Sequence, residues 1–422
     1  MNPSAIWHPF TQHALTPEMT NIDRAQGAYL YTLENREIID AISSWWVVTH
    51  GHCFAPLVEA AKEQVSKLDQ VIFAGHTHEP AEQLASALMD LTPKGLDKVF
   101  FSDSGSTAVE VALKMALGYW HHMGEGKRQR IVVMEHSYHG DTIGTMSVGE
   151  RGVFNQAYAP LLYDVETIPF PTAGAEHLTV QALESLTVQH PGEIAALIVE
   201  PMVLGAGGMK MYEASVLKAL KTVCEAHDVV FIADEVMTGW GRTGTLFACE
   251  HADIVPDILC TSKGLTGGLL PLAATLCGQK FFDAHYSPDR SKMFFHSSSY
   301  TANPIACAVA CANVQIWADP CVLGNVQNLV KAQAQHLSQI KSHQRYENIR
   351  QCGTITALDV KVGDQGYMSD IAPKLYNYFQ GMDVLLRPLG NTVYILPPYC
   401  LTENDLDKIY HAVSQAPDIL GL

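Results

Sequence analysis

The sequence has little positive charge. Its 27 lysine and arginine residues stand against 44 aspartate and glutamate residues, which gives a formal net charge of −17 over 422 residues. This balance, together with the lack of any run rich in lysine or arginine, argues against a nucleic-acid-binding protein. We therefore expect small molecules as partners and no nucleic acid.

Long hydrophobic runs and paired cysteines are also missing. The most apolar window, residues 264–278, is too short and too rich in glycine to cross a bilayer. Residues 1–10 have neither the basic nor the apolar region of a secretory signal. The ten cysteines form no C-x-x-C pair, which is typical of reduced thiols. These features predict a cytoplasmic protein that does not contact a membrane.

Several catalytic motifs are absent or incomplete. There is no G-x-S-x-G, so a serine hydrolase lacks its nucleophile elbow. The histidine-rich stretch 76–79 lacks the i, i+4 spacing of a helical zinc site, and we expect no metal. Residues 239–244 match G-x-G-x-x-G, but no helical pattern begins inside the loop, which disfavours a nicotinamide dehydrogenase. We interpret this segment as a glycine-rich active-site loop that carries Arg242.

Two short apolar runs end in an acid and in an amine. Residues 229–234 are a β-branched run that ends at Asp234, and residues 258–262 lead to Lys263. Buried parallel strands have this composition, and their carboxyl ends share one edge of a sheet. Pyridoxal phosphate chemistry needs a lysine and an acid in one crevice. Taken singly, however, the acid could be a helix cap and the lysine a surface group.

The pattern of strands and helices predicts the fold class. Strand-like and helical segments alternate from residue 98 to residue 318, which predicts an α/β fold with a mostly parallel central sheet. The chain is too long for one hydrophobic core. We predict a large cofactor-binding domain over residues 51–319 and a smaller α+β domain over residues 320–422. An N-terminal segment, residues 1–50, is expected to contribute to the small domain.

Four further residues are candidates for binding roles. Gly105 and Ser106 lie where a strand turns into a helix, and such a helix N-terminus can hold a phosphate or carry an ordinary serine cap. Tyr138 follows another strand and could stack on a flat ring or pack in a turn. Arg387 lies near a strand end, where its fork could bind a carboxylate or form a surface salt bridge.

The residues around Asp234 and Lys263 resemble a known family. Residues 231–244, followed by Ser262, Lys263 and Gly264, are similar to the signature of the class III aminotransferases of fold type I, which use pyridoxal phosphate. The resemblance implies a Schiff base between Lys263 and the cofactor, and a charge pair between Asp234 and the pyridine nitrogen. It also implies that Gly105 and Ser106 hold the phosphate and that Tyr138 lies over the ring and touches the substrate.

Other motifs are similar to one group within that family, over residues 6 to about 399. Residues 6–9, 43–46 and 102–106 resemble the members that convert 8-amino-7-oxononanoate to 7,8-diaminononanoate in biotin biosynthesis, with S-adenosylmethionine as the expected donor. The resemblance implies a homodimer with active sites at the subunit interface. The residues that it implies near the substrate or the partner's cofactor are Phe10, Trp45, Trp46, Ser297, Ser298, Ser299, Arg387 and Tyr394. Of these, Trp45 and Trp46 would line an apolar tunnel, Arg387 would bind the distal carboxylate, and the three serines would reach the partner subunit's cofactor.

The sequence departs from the family pattern in places and leaves alternatives. Phe10 stands where a tyrosine is usual, Leu204 where a glutamine is common, and residues 297–299 where Gly-Pro-Thr is common. The donor therefore stays open between S-adenosylmethionine and lysine. A 4-aminobutyrate- or ornithine-type ω-aminotransferase is the enzymatic alternative. Those enzymes commonly carry a glutamate in the loop after Glu200-Pro201, and this chain has Ala206 and glycines in that loop. The non-enzymatic alternative is a binding protein of the same fold without catalytic activity. The presence of both Asp234 and Lys263 disfavours it.

Overall fold

The computed structural model describes residues 5–15 and 19–421. Its strands are β1 (Ile22–Gln26), β2 (Tyr29–Thr32), β3 (Glu37–Asp40), β4 (Lys98–Ser102), β5 (Arg130–Met134), β6 (Glu166–Ile168), β7 (Ile194–Val199), β8 (Val203–Leu204), β9 (Lys210–Met211), β10 (Val230–Asp234), β11 (Ile258–Thr261), β12 (Ala273–Cys277), β13 (Tyr346–Cys352), β14 (Ile355–Val360), β15 (Val384–Leu385) and β16 (Thr392–Ile395). Its helices are α1 (Ser43–Trp46), α2 (Ala55–Val65), α3 (Glu79–Leu91), α4 (Gly105–His122), α5 (Ile143–Ser147), α6 (Glu176–Gln189), α7 (Ala214–Ala226), α8 (Gln279–His285), α9 (Pro304–Trp317), α10 (Pro320–Ile340), α11 (Ile371–Gly381) and α12 (Glu403–Ile419). Short 3₁₀ turns lie at Gln156–Leu161, Ala248–Ala252, Lys263–Thr266 and Arg290–Lys292.

The largest sheet among the described residues has seven strands in the order β4-β12-β11-β10-β7-β5-β6. Neighbours from β11 to β6 pair in parallel, whereas β12 runs antiparallel to both β11 and β4. The central strands β7 and β10 are buried along their whole length because helices cover both faces of the sheet. The predicted α/β class with a mostly parallel central sheet is confirmed.

Smaller sheets combine strands from the two ends of the chain. In the described residues β1, β2 and β3 form a meander, and β15 pairs in parallel with β3, with Ile39 opposite Val384. Strands β13, β14 and β16 form an antiparallel sheet. The N-terminal strands therefore share a sheet with a strand of the C-terminal region. The domain boundaries at residues 50 and 319 stay predictions, and residues 1–4 and 16–18 of the N-terminal segment lie outside the described residues.

The structure also bears on the expectations about membranes and metals. No single helix in the described part of the chain is long and apolar enough to cross a membrane; α9 and α10 pass together by length and composition, but a bend of 75° separates them. The same residues contain no group of three or more histidine, cysteine or acidic side chains arranged for a metal ion. His78, from the histidine-rich stretch, instead accepts a hydrogen bond from the Ala81 amide at 3.2 Å and caps α3.

Candidate active site

Asp234 and Lys263 lie at the carboxyl ends of neighbouring strands. β10 ends at Asp234, which lies opposite Cys260 of the parallel strand β11, and the chain then continues to Lys263. Both side chains line one cavity of about 250 Å³. The lining residues are Phe10, Ile42, Ser44, Trp45, Trp46, Gly105, Ser106, Tyr138, His139, Gly140, Phe154, Glu200, Ala206, Asp234, Val236, Met237, Lys263, Tyr367, Arg387, Leu389 and Tyr394. The acid and the amine thus face the same space.

The Asp234 carboxylate is buried and held from two sides. His139 Nδ1 donates a hydrogen bond to Oδ2 at 2.7 Å, and the Val236 amide donates to Oδ1 at 3.1 Å. Because a carboxylate only accepts, the proton of the His139–Asp234 pair lies on Nδ1. His139 Nε2 is buried and has no partner among the described residues. This arrangement fixes the orientation of a negative charge at the floor of the cavity.

Lys263 begins the 3₁₀ turn that follows β11, with a left-handed backbone φ of 45°. Its Nζ lies 4.5 Å from the centroid of the Trp46 ring. Burial lowers the pKa of the Lys263 amine from 10.5 to about 8, since desolvation penalises its charged form and outweighs the attraction of Asp234 and Glu200. An amine with this pKa is about half neutral near pH 8, where a lysine of ordinary pKa is almost fully charged, so it can act as a nucleophile and base there.

The turn that carries Lys263 is fixed by a buried amide and a close approach. Asn313 Nδ2 donates to the carbonyls of Gly264 and Leu265 at 2.8 and 3.0 Å, and His50 Nε2 lies 2.9 Å from Asn313 Oδ1. A Cβ at position 264 would lie 2.7 Å from the Trp240 Cβ, so only glycine fits there without a shift. The position of the amine is thereby tied to the rigid interior.

The N-terminus of α4 opens onto the cavity at Gly105 and Ser106. Ser104 caps this helix in a reciprocal pair with Thr107, so the ordinary cap predicted as the alternative is present one residue earlier. A Cβ at Gly105 would lie 2.6 Å from Val236 Cγ1, so this glycine lets the helix end approach the floor of the cavity. Backbone amides at a helix N-terminus favour an anion. The geometry therefore suits a phosphate at Gly105 and Ser106.

Glu200 is a buried carboxylate that joins two loops around the cavity. Its Oε1 accepts from the Tyr138 amide and its Oε2 from the Gly205 amide, each at 3.0 Å. Burial raises the pKa of the Glu200 carboxyl to about 7, with a further contribution from the charge of Asp234. Burial also raises the pKa of the Tyr138 hydroxyl, which stays protonated. Glu200 therefore positions Tyr138 at the cavity wall.

Aromatic side chains and one arginine form the opposite side of the cavity. Trp46 Nε1 donates to the Tyr394 hydroxyl at 3.0 Å. The Arg387 guanidinium lies 5.6 Å from the Trp45 ring centroid and donates to the Phe10 carbonyl at 2.6 Å. Among the described residues Arg387 has no acidic partner within 4 Å. A free positive charge thus faces an otherwise apolar wall.

Arg242, from the glycine-rich loop, lies outside the cavity. It is 1% exposed, and its guanidinium donates to the carbonyls of Pro397 at 2.7 Å, Val48 at 2.9 Å and Trp46 at 3.4 Å. No residue of the loop 239–244 lines the cavity, so the interpretation of this segment as an active-site loop that carries Arg242 is wrong. Arg242 acts on the cavity by holding the segment that presents Trp45 and Trp46.

The tryptophan segment is held in an unusual backbone conformation. Ser43, Ser44 and Trp46 all have positive φ, between 54° and 65°. Asp40, fully buried, accepts hydrogen bonds from the Ser44 hydroxyl at 3.0 Å and from His52 Nε2 at 2.8 Å. Such conformations persist only where surrounding contacts impose them, and they cluster at functional sites.

Ser297, Ser298 and Ser299 do not line this cavity. The Ser298 amide donates to the Thr301 hydroxyl at 2.9 Å, and the Ser299 carbonyl accepts from Gln70 Nε2 at 2.7 Å. The three serines form an exposed to half-buried segment just before α9. The structure thus brings the other residues predicted to bind cofactor or substrate into one cavity, and it leaves these three serines, like Arg242, outside the lining.

The cavity also includes residues that the sequence reading passed over. His139 lies beside the predicted Tyr138, and Glu200 directly follows the apolar run of residues 194–199, so both had a positional signal. Phe154 and Tyr367 come from irregular segments, and nothing in their local sequence pattern marks them.

The lowered pKa of Lys263 gives a test of its environment. In the cofactor-free protein, the rate of forming a borohydride-reducible adduct with pyridoxal phosphate should rise with pH around a midpoint near 8, because the neutral amine is the reactive form. Asp234→Asn should lower that midpoint, since Asp234 favours the charged amine. Stopped-flow absorbance across pH 6 to 11 measures both. A midpoint near 10.5 would contradict the buried amine described here.

Comparisons with known proteins give one consistent family. A family model described as aminotransferase class-III matches residues 10–416. A curated protein of Synechococcus elongatus named adenosylmethionine-8-amino-7-oxononanoate aminotransferase is 44% identical over 419 residues, covering 98% of each chain. One of the same name from Geobacter sulfurreducens is 38% identical over 433 residues, covering 97% of this chain and 95% of the relative.

Solved structures agree with the sequence relatives. The crystal structure of an adenosylmethionine-8-amino-7-oxononanoate aminotransferase from Methanocaldococcus jannaschii superposes with a TM-score of 0.94 at 32% identity, covering 98% of this chain and 97% of the other. A PLP-bound amine transaminase from an uncultivated Pseudomonas species gives a TM-score of 0.91 at 31% identity and covers 98% of each chain. The similarity therefore extends over nearly the whole length in sequence and in fold.

Proposed function

The chain belongs to the class III aminotransferases, and on that premise we propose that it transfers an amino group to 8-amino-7-oxononanoate, giving 7,8-diaminononanoate in biotin biosynthesis. We propose S-adenosylmethionine as the amino donor and pyridoxal phosphate as the cofactor. The observation that carries the proposal is Arg387. Its guanidinium, which has no acidic partner among the described residues, lines the same cavity as Lys263 and Asp234, with aromatic side chains lining the rest of that side. An acceptor with a ketone at one end and a carboxylate at the other matches that arrangement.

The residues of the cavity fit a flat, phosphorylated, nitrogen-containing ring. Pyridoxal phosphate supplies, when bound, an electron sink for the charge left when a proton departs from the donor's amine-bearing carbon. Gly105 and Ser106 at the N-terminus of α4 would hold the phosphate. Asp234, fixed by His139, would face the ring nitrogen and keep it protonated.

Lys263 would carry the proton in each half of the reaction. With a pKa of about 8, its amine can take a proton from a carbon atom and return it to another without leaving the cavity. The indole of Trp46, 4.5 Å from Nζ, and the Tyr138 ring would exclude water around the amine. The low dielectric of such a site strengthens the attraction between Asp234 and a cationic ring nitrogen.

Arg387 would select the acceptor and orient it. A guanidinium binds a carboxylate through two parallel hydrogen bonds. The apolar surfaces of Trp45 and Trp46 would cover the methylene chain, and Tyr394 and Phe10 would complete that contact. The ketone would then lie on the side of Lys263.

One assay tests the proposed function directly. Purified protein loaded with pyridoxal phosphate is given 8-amino-7-oxononanoate and either S-adenosylmethionine or lysine, and diamine formation is followed. Diamine formed with S-adenosylmethionine supports both substrates. Diamine formed only with lysine would correct the donor, and no diamine with either would reject the acceptor.

The Arg387→Ala variant tests the carboxylate site. We expect kcat/KM for 8-amino-7-oxononanoate to fall about tenfold to a hundredfold, since a lost charged hydrogen bond costs roughly 1.5 to 3 kcal/mol. The donor half-reaction should change much less. Single-turnover kinetics of the two half-reactions measure both effects.

Two further variants sharpen that measurement. Arg387→Lys should recover only part of the loss, because a point charge cannot replace the fork. Arg24→Ala removes an arginine that does not line the cavity and should leave both half-reactions unchanged. Equal damage to both halves in Arg387→Ala would indicate a structural arginine instead.

We also propose a cytoplasmic homodimer in which Ser297, Ser298 and Ser299 reach the partner subunit's cofactor. Their absence from the lining of their own chain's cavity supports this, as do the exposed side chains of Phe295 and Tyr300 beside them. The ten free cysteines fit a reducing compartment. Sedimentation of the protein as a monomer at micromolar concentration would contradict the shared site.

A general ω-aminotransferase is the second candidate, favoured by the structural similarity to the amine transaminase of Pseudomonas. Ala206 lines the cavity where 4-aminobutyrate- and ornithine-type enzymes are expected to carry a glutamate near an arginine, so position 206 supplies no acid that could neutralise Arg387. Turnover of 4-aminobutyrate or ornithine at a rate above that of S-adenosylmethionine would favour this candidate.

A further inference from the structure

Phe154 is the centre of an aromatic wall on one side of the cavity. Its ring centroid lies 4.5 Å from that of Tyr367, 6.0 Å from that of Phe10 and 6.2 Å from that of Tyr138, with interplanar angles between 63° and 71°. These are edge-to-face contacts of the stabilising kind. All four rings line the cavity. We call Phe10, Tyr138, Phe154 and Tyr367 the aromatic wall.

The segment that carries Phe154 is firmly anchored. Asn155 is 4% exposed; its Oδ1 accepts from the Gly152 amide at 3.0 Å, and its Nδ2 donates to the Glu150 carbonyl at 2.8 Å. Arg151 donates to the Met146 carbonyl at 2.8 Å. The Phe154 ring is therefore held in place as part of a fixed wall.

Tyr367 is fixed to the turn that follows Arg387. The Gly366 amide donates to Asn391 Oδ1 at 3.1 Å, and Asn391 Nδ2 donates to the Val360 carbonyl at 3.0 Å. Gly390 approaches so closely that a Cβ there would lie 1.7 Å from the Gly366 carbonyl oxygen. The Tyr367 ring and the Arg387 guanidinium consequently keep a constant relation to each other.

We infer that Phe154 and Tyr367 are specificity-determining residues that set the longest acceptor chain the cavity accepts. Lys263 would define the position of the ketone and Arg387 that of the carboxylate. The aromatic wall lines the same cavity and extends, through Phe154, to Phe10, whose carbonyl accepts from Arg387. An acceptor with one methylene too few cannot reach both ends. An acceptor with one too many must bend sideways, and the Phe154–Tyr367 contact occupies that space. This inference rests on the proposed function.

Removal of a ring from the aromatic wall should affect longer and shorter acceptors differently. Removing either ring opens room for a bent, longer chain, but it does not shorten the distance between Lys263 and Arg387. Truncation should therefore admit longer acceptors and leave shorter ones as poor as before. One methylene in an apolar pocket typically changes kcat/KM by about 10- to 200-fold, which makes the effect measurable.

The experiment compares three keto acids in single-turnover reactions of the enzyme preloaded in its pyridoxamine phosphate form. They are 8-amino-7-oxononanoate, its longer homologue 9-amino-8-oxodecanoate and its shorter homologue 7-amino-6-oxooctanoate. We expect the wild type to prefer the first over the longer one by at least about tenfold. Phe154→Ala and Tyr367→Ala should reduce that preference to about threefold or less, without changing the preference over the shorter one.

Matched variants separate the ring from other effects. Tyr367→Phe keeps the ring and should keep the wild-type preference. Tyr286→Ala removes an exposed tyrosine outside the cavity and should change nothing. Phe154→Leu and Tyr367→Leu are used if an alanine variant fails to fold, with the donor half-reaction as the check on each.

The outcomes decide the inference and the proposed function separately. An unchanged preference in folded variants, or equal loss with all three acceptors and the donor, overturns the inference and leaves the function intact. A wild type that accepts the two longer acids equally also overturns it. A wild type that aminates none of the three keto acids rejects the proposed function, and the inference falls with it.

Discussion

Lys263→Ala should lose essentially all turnover while the fold is retained. The variant lacks both the amine that would hold the cofactor and the base that would move the proton. A positioned proton-transfer group alone typically contributes up to about 10⁴ in rate, so we expect a fall of roughly four orders of magnitude or more. Steady-state turnover at high enzyme concentration measures it. Borohydride reduction followed by peptide mapping should find no labelled lysine in the variant.

The stability of the same variant is informative. The wild-type pKa of Lys263 lies below its unfolded value, so the unfolded chain binds more protons, and the amine's contribution to stability rises as pH increases from about 8 to 10.5. Below that window the amine is destabilising. When both proteins are prepared without cofactor, Lys263→Ala should therefore have a Tm at pH 7 equal to or higher than that of the wild type, by differential scanning calorimetry. Lys94→Ala, at an exposed position, is the matched control. Retained turnover with a labelled lysine elsewhere would overturn the assignment of Lys263.

Asp234→Asn is expected to have the next largest effect. An amide carries no charge to keep a neighbouring ring nitrogen protonated, so the electron sink weakens. We expect a loss of roughly 3 to 5 kcal/mol of transition-state stabilisation, or about two to four orders of magnitude in kcat. The His139 Nδ1 proton can still be accepted by the amide oxygen, so the local geometry should survive.

The same substitution at an exposed acid outside the cavity serves as the control for the loss of charge at Asp234. Asp253→Asn changes an acid whose side chain is 99% exposed and should leave kcat unchanged. Cofactor affinity, from equilibrium dialysis, should fall less than kcat in Asp234→Asn, because Gly105 and Ser106 would still hold the phosphate. Activity within about threefold of the wild type would make Asp234 a structural acid.

The strands that deliver the site were predictable, because buried parallel strands are continuous apolar runs. β10 begins at Val230, one residue after the start of the predicted run, and β11 begins at the first residue of its predicted run and ends one residue before the end of that run. β13 was missed because its polar residues include Glu347, Asn348 and Arg350, and all its residues but Tyr346 are only partly buried or exposed, so tertiary pairing rather than pattern makes it a strand. α6 was missed as well, since its apolar face is weak and only three of its residues are buried.

The residues of the cavity also divide into those that the sequence predicts and those that it does not. Lys263 and Asp234 follow from strand ends and from the family signature, whereas Phe154 and Tyr367 reach the cavity only through long-range packing. The hydrogen bonds from Arg242 to the carbonyls of Val48 and Pro397 could not be predicted either, because these partners lie far from Arg242 in sequence. The catalytic and binding roles themselves stay predictions that the variants above decide.

The pairing of β3 with β15 bears on how the molecule is made. The Ile39 amide donates to the Asp383 carbonyl at 2.9 Å and the Ala41 amide to the Leu385 carbonyl at 3.2 Å, while Ala41 accepts from the Leu396 amide at 2.9 Å. During synthesis, residues 37–41 lack these hydrogen-bond partners until nearly all of the protein has left the ribosome, because the partners lie at residues 383–396. Long-range pairing of this kind is slow and exposes the unfinished chain to aggregation. The tryptophan segment, residues 43–46, which lies beside Lys263, therefore reaches its final conformation among the last parts of the molecule, and a chain that ends before residue 384 would leave this segment without the contacts that hold it.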